Sequence, residues 1–180
     1  MPNKPIPQDV TVDPNTTALL VLDLNARCEN PEEPCYKLID PVAKFLERAR
    51  QARMFIVYTV AERYKGTPEA RMPHAFKQRG DEPVIFPAAF DKFYSGELQP
   101  MLQKRGIKTV IVCGAASNQA VMYTATAAVR PFGYDAVIPV DGLIARGDYE
   151  HEFTLHQFTI LPGGAAQKFK ITEFAKIKLA

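Results

Sequence analysis

Thr109-Val110-Ile111-Val112-Cys113-Gly114-Ala115-Ala116-Ser117-Asn118-Gln119-Ala120-Val121 is the stretch whose reading decides the fold. It opens as a β-branched run, which suits a parallel strand buried on both faces. It breaks at Gly114 and passes through small residues. It then enters an Ala/Thr-rich segment with helical spacing, expected to span 119–130. A strand turning sharply into a helix gathers backbone N–H groups and the positive helix end at one point. In an α/β protein that point lies at the carboxyl edge of the sheet, where ligands bind.

A second strand ends on the same edge. It is expected to span 16–24: Thr16-Thr17-Ala18-Leu19-Leu20-Val21-Leu22 is apolar or β-branched throughout, and Asp23, opening Asp23-Leu24-Asn25, stands at its carboxyl end. A carboxylate at a buried strand's end is costly unless it is hydrogen-bonded or put to use. The signature strand is expected to span 107–113, and further strands are expected at 54–60, 83–86, 135–140 and 169–172. Helices are expected from Asp40-Pro41 onward, where an N-cap precedes a first-turn proline, and at 95–105 and 149–159. The alternation gives a three-layer α/β/α domain with a mainly parallel sheet of about six strands, Rossmann-like in outline. Residues 1–15, with prolines at 2, 5, 7 and 14, form an N-terminal arm that either crosses to a neighbour or lies as a surface tail. Residues 16–180 form one domain.

The totals exclude several classes. With 180 residues, 47% hydrophobic and 23% charged, the chain is long and apolar enough for one self-sufficient core. A net charge of +2, with Lys and Arg scattered, gives no stripe for nucleic acid. No run of about 18 apolar residues suggests a membrane span. The first 14 residues lack the apolar core of a signal peptide, so a cytoplasmic location is expected. Cys28, Cys35 and Cys113 have no zinc-like spacing and are read as free thiols.

The signature stretch resembles the isochorismatase-like (cysteine hydrolase) superfamily, which includes nicotinamidases, N-carbamoylsarcosine amidases and isochorismatases. The family pattern is a hydrophobic strand, then Gly-x-Ala-Thr-(Asn/Asp)-x-Cys-Val, then a Thr/Ala-rich helix. Here Gly114-Ala115-Ala116-Ser117-Asn118-Gln119-Ala120-Val121 matches in kind except at Ala120, the place of the nucleophilic cysteine. The resemblance implies that Asp23 is the family's acid/base carboxylate. It also implies that the Ala115–Ala116 bond is a cis peptide, and that the loop lends backbone N–H groups to an oxyanion.

The family's catalytic lysine ends the third strand. Alignment of Phe90-Asp91-Lys92-Phe93 on the segment that follows puts Pro87 in the lysine's place. Lys92, five residues on, either points into the cleft or is solvated. Cys28 opens on the same cleft as an alternative thiol, with Arg27 beside it. Cys113 reads as a buried hydrophobe.

Asn25, Glu62, Ala115, Ala116, Ser117 and Asn118 are the substrate-contact candidates. Arg63, Lys65 and His74 share the polar connection over 61–80 with Glu62. Glu150-His151-Glu152 reads as a solvated helix face. The nicotinamidase pattern Asp-x-His-x-His is absent, so no metal and no cofactor are expected. The resemblance implies a homodimer or homotetramer acting on a small molecule. Two readings follow. One is a hydrolase of an amide, an imide or a vinyl ether that works without the usual cysteine. The other is a silent member that binds a ligand or serves assembly.

Overall fold

The computed structural model describes residues 4–180. The strands in chain order are β1 (Val10–Val12), β2 (Thr17–Leu22), β3 (Phe55–Thr59), β4 (Val84–Ile85), β5 (Thr109–Ala115), β6 (Asp135–Pro139), β7 (Leu143–Ile144), β8 (Phe169–Thr172) and β9 (Ile177–Leu179). The helices are α1 (Ile39–Gln51), α2 (Leu98–Lys104), α3 (Met122–Val129) and α4 (Asp148–Ile160). The main sheet runs β4-β3-β2-β5-β6-β8, with β7 added alongside β5, and every pairing in it is parallel.

Strand periodicity builds the three layers. On β2, Ala18, Leu20 and Leu22 face the layer that holds Leu98 and Leu102 of α2, Ala125 and Ala128 of α3, and Leu155 and Phe158 of α4. Leu19 and Val21 face the opposite layer, with Val42, Phe45, Leu46 and Ala49 of α1. Those four α1 residues recur at helical spacing, so one face of α1 lies on the sheet. Each such fully buried leucine contributes roughly 1.5–3 kcal/mol. Helix α1 begins at Ile39, so Asp40 lies in its first turn, where a carboxylate favours the positive helix end.

Part of the N-terminal arm is built into the fold as a strand. Val10, Thr11 and Val12 pair in parallel with Ile177, Lys178 and Leu179 as a separate two-stranded sheet. The Gln8 N–H donates to the Ile171 carbonyl at 3.0 Å. The start and finish of the chain are therefore tied together beside α1. Residues 1–3 of the expected arm lie outside the described residues. Among the described residues no helix is long and apolar enough to cross a membrane.

The central pair of strands places the site. Strands β2 and β5 pair from Thr17↔Thr109 to Leu22↔Gly114. Gly114 has φ +131°, and a Cβ there would sit 2.0 Å from the Leu22 carbonyl oxygen. Only glycine lets the two strand ends approach this closely. Asp23 and the 115–120 loop consequently leave adjacent strands side by side.

Candidate active site

Asp23, Ala115, Ala116, Gln119 and Ala120 line one cleft of about 620 Å³ at the carboxyl edge of the sheet. Asp23 has φ +55°, a left-handed conformation that aspartate tolerates at modest cost. Its backbone N–H donates to the Thr59 carbonyl at 2.9 Å, which fixes the turn out of β2. The Ala115–Ala116 peptide is cis, as the resemblance implies. Ala120 is almost wholly buried and has no atom able to attack a carbonyl.

A lysine does meet Asp23, but not from position 87. Pro87 lines the cleft, but the cation facing Asp23 is Lys92. Its Nζ donates to Asp23 Oδ2 at 2.7 Å and to the Ala89 carbonyl at 3.4 Å. Lys92 is only 1% exposed, so it depends on those acceptors. Helix α3 sets its position: the Lys92 N–H donates to Thr124 Oγ1 at 3.1 Å, and Thr124 Oγ1 donates to the Phe90 carbonyl at 3.2 Å. A cation is thus present beside Asp23, and the proline at 87 leaves no gap in the charge arrangement.

Thr59 Oγ1 also donates to Asp23, on Oδ1 at 3.3 Å. Burial nevertheless outweighs Lys92 and Thr59, and it pushes the Asp23 carboxyl above the usual carboxylate range. A carboxyl tuned upward in a cleft holds its proton more readily than an ordinary aspartate and is suited to exchanging it with a substrate.

The remaining candidates divide. Asn25 is buried and lines the cleft. Glu62 is exposed and outside the lining; its neighbours Arg63 and Tyr64 line the cleft instead. Ser117 is buried, and its Oγ lies 3.0 Å from His151 Nδ1. Neither Ser117 nor Asn118 lines the cleft. His151 is consequently not part of a solvated face: it is half-buried against the signature loop, and burial lowers its pKa.

Cys28 is corrected most sharply. It forms a disulfide with Cys35, with Cα atoms 5.2 Å apart, so it has no thiol to serve as a nucleophile. Two consecutive turns over Ala26–Glu29 and Pro34–Leu38 fold the seven-residue interval back on itself. Cys113 remains the free, buried thiol, and burial pushes its pKa up. Among the described residues no three His, Cys, Asp or Glu side chains are grouped to hold a metal ion.

Arg27, Tyr64 and Arg146 complete the lining in ways that motif reading did not assign. Arg27 donates to Glu33 Oε2 at 3.2 Å, and both Arg27 and Arg63 donate to the Tyr64 hydroxyl. Arg27 was legible only as a neighbour of Cys28. Arg146 follows β7, a two-residue strand with no sequence signature of its own.

The fold and the sequence both have counterparts among known proteins. The chain is 25% identical over 167 residues to the uncharacterized isochorismatase family protein YwoC of Bacillus subtilis (strain 168), covering 81% of this chain and 87% of the relative. An isochorismatase-like hydrolase from Alkaliphilus metalliredigens superposes with a TM-score of 0.78 at 23% identity, covering 89% of this chain and 96% of that one. The nicotinamidase SaPncA from Staphylococcus aureus superposes with a TM-score of 0.75 at 18% identity, covering 88% and 99%. The Isochorismatase domain family matches residues 17–167, and the chain belongs to that family.

Proposed function

We propose that the protein is a hydrolase of a small molecule, cleaving an amide or imide C–N bond or a vinyl ether, with Asp23 as the acid/base and no covalent thioester step. The Asp23–Lys92 pair carries this reading. A buried lysine–carboxylate pair with one member open to a cleft is an expensive arrangement for a fold alone.

For an amide, the Asp23 carboxylate takes a proton from water as the oxygen attacks the carbonyl carbon. Backbone N–H groups of the 115–120 loop stabilise the oxyanion that forms. Collapse breaks the C–N bond, and the Asp23 proton passes to the leaving nitrogen. For a vinyl ether, protonated Asp23 delivers its proton to the alkene carbon, water adds to the resulting oxocarbenium and returns a proton to the Asp23 carboxylate, and the hemiketal collapses with cleavage of the C–O bond to a carbonyl product and an alcohol. Lys92 holds the Asp23 carboxyl in place in both schemes. Arg63 favours its ionised form as well.

Ala120 favours a second reading, a family member that binds a ligand without turning it over. Turnover of a panel of small amides, imides and vinyl ethers by wild type and Asp23→Asn separates the two. Turnover lost in Asp23→Asn is the expected result. Binding of panel members without turnover by wild type supports the binder.

A further inference from the structure

The ionisable residues lining the cleft do not balance. Lys92 is matched by Asp23, and Arg27 by Glu33. No other acidic residue lines the cleft. Arg63 and Arg146 remain: among the described residues neither guanidinium has a carboxylate within 4.0 Å. Arg63 donates to the Tyr64 hydroxyl at 3.3 Å and lies 4.9 Å from the centre of that ring. Arg146 has no side-chain hydrogen bond among the described residues.

We propose that the cleft takes a substrate bearing a carboxylate, which Arg63 and Arg146 hold while the scissile group lies against Asp23 and the 115–120 loop. The identity of the reacting bond rests on the hydrolase reading above; the anion site does not. Two unmatched guanidiniums in one concavity create a positive potential that draws anions and repels amines. Guanidinium, planar and permanently charged, pairs with carboxylate through two parallel hydrogen bonds.

Tyr64 reports the same field. Burial works against its ionisation, yet the hydrogen bonds from Arg63 and Arg27 hold the phenol below its ordinary value. Anion docking has a second consequence. Arg63 is among the cations that favour ionised Asp23, so neutralising it raises the Asp23 pKa and couples substrate arrival to proton retention.

The test is calorimetric titration with matched pairs: benzoate and benzamide, phenylacetate and phenylacetamide, maleate and maleamide, with inorganic phosphate alongside. Wild type, Arg63→Gln, Arg146→Gln and the double variant are compared at low and high salt. Both arginines are exposed, so the variants fold. At least one carboxylate is expected to bind about tenfold or more tighter than its carboxamide. That preference falls in each single variant, disappears in the double variant and weakens with salt. Arg63→Lys retains part of it.

No preference in any pair, or a preference surviving the double variant, overturns the proposal. Phosphate outcompeting every carboxylate overturns the carboxylate class. Turnover by Asp23→Asn at the wild-type rate, with the preference intact, defeats the hydrolase reading and leaves the anion site standing. Loss of turnover in Asp23→Asn without any carboxylate preference does the reverse.

Discussion

Two buried ion pairs flank β3, and they have been built for different ends. Away from the cleft, Glu82 receives Arg50 Nε at 2.7 Å and Arg50 Nη2 at 2.9 Å, the Tyr58 hydroxyl at 3.1 Å and the Arg79 N–H at 3.0 Å. Arg50 spends a further donor on the Phe76 carbonyl at 2.8 Å. In the cleft, Asp23 receives only Lys92 and Thr59 among the described residues. Burial opposes ionisation in both. The donors around Glu82 prevail and its pKa falls; those around Asp23 do not, and its pKa rises. A saturated pair fixes structure, whereas an undersupplied one in an open cleft is left ready to exchange a proton.

The largest expected effects test that division directly. Asp23→Asn should lower kcat/KM on the order of 10²–10⁴-fold per folded molecule, and it should also cost stability, because the buried Lys92 loses its carboxylate partner. Glu82→Gln should cost about 3–5 kcal/mol by stranding the Arg50 charge, but with activity per folded molecule retained. Denaturant unfolding and active-fraction kinetics measure both. A Glu82→Gln protein that folds normally but is inactive would break the comparison.

The pH dependence sharpens it. Because burial raises the Asp23 pKa, the limb of kcat/KM that follows this carboxyl should lie above the ordinary aspartate range. Lys92→Met removes the main cation favouring the ionised form, so the limb should move higher still. The stability linkage has the matching sign. A raised folded pKa gives stability that is fully present below the unfolded value of 3.8 and is lost as pH rises through the folded value. Asp23→Asn should therefore flatten the stability profile between those limits.

A smaller effect concerns the vacated nucleophile position. Lys92 already faces Asp23, so Ala120→Cys needs no companion change at Pro87 to complete the cluster. In the native state this variant should gain one iodoacetamide adduct by mass spectrometry, because position 120 lines the cleft and Cys113 is enclosed. Modification at Cys113 alone would show that position 120 does not face the cleft.

How far the sequence reached follows from which interactions were local. Strand β2 is buried at every position, and its unbroken apolar run announces that. Gly114 and the small residues after it announce the turn out of β5. Asp23 was legible because a carboxylate ending such a strand needs a reason. Lys92 was not assignable, because its direction is set by Thr124, 32 residues away on α3. The β1–β9 pairing joins two three-residue segments at opposite ends of the chain, too short for a periodic pattern. Cys28 and Cys35 carry no motif spacing, so only the folded turns bring them together. His151 looked solvated because it stands between two glutamates in sequence; its partner, Ser117, comes from another element.

The smallest effect belongs to a third carboxylate, which puts a bound on the comparison from the surface side. Glu29 is held by a hydrogen bond from Arg71, and by the His74 N–H at 2.6 Å and His74 Nδ1 at 2.8 Å. Arg71 leads in lowering its carboxyl to about 2, despite some burial. Here the folded pKa is depressed, so the stabilisation is present above the unfolded value of 4.5 and is lost as pH falls through about 2. Arg71 is 45% exposed and water screens the pair, so Glu29→Gln should cost no more than about 1 kcal/mol at neutral pH. Paired unfolding curves at pH 7 and pH 2.5 should show the difference shrinking in acid. An equal cost at both values would mean that bond geometry, not charge, supplies the stabilisation. In that case donor count alone would not separate Asp23 from Glu82, and their unequal exposure to the cleft would have to carry the distinction.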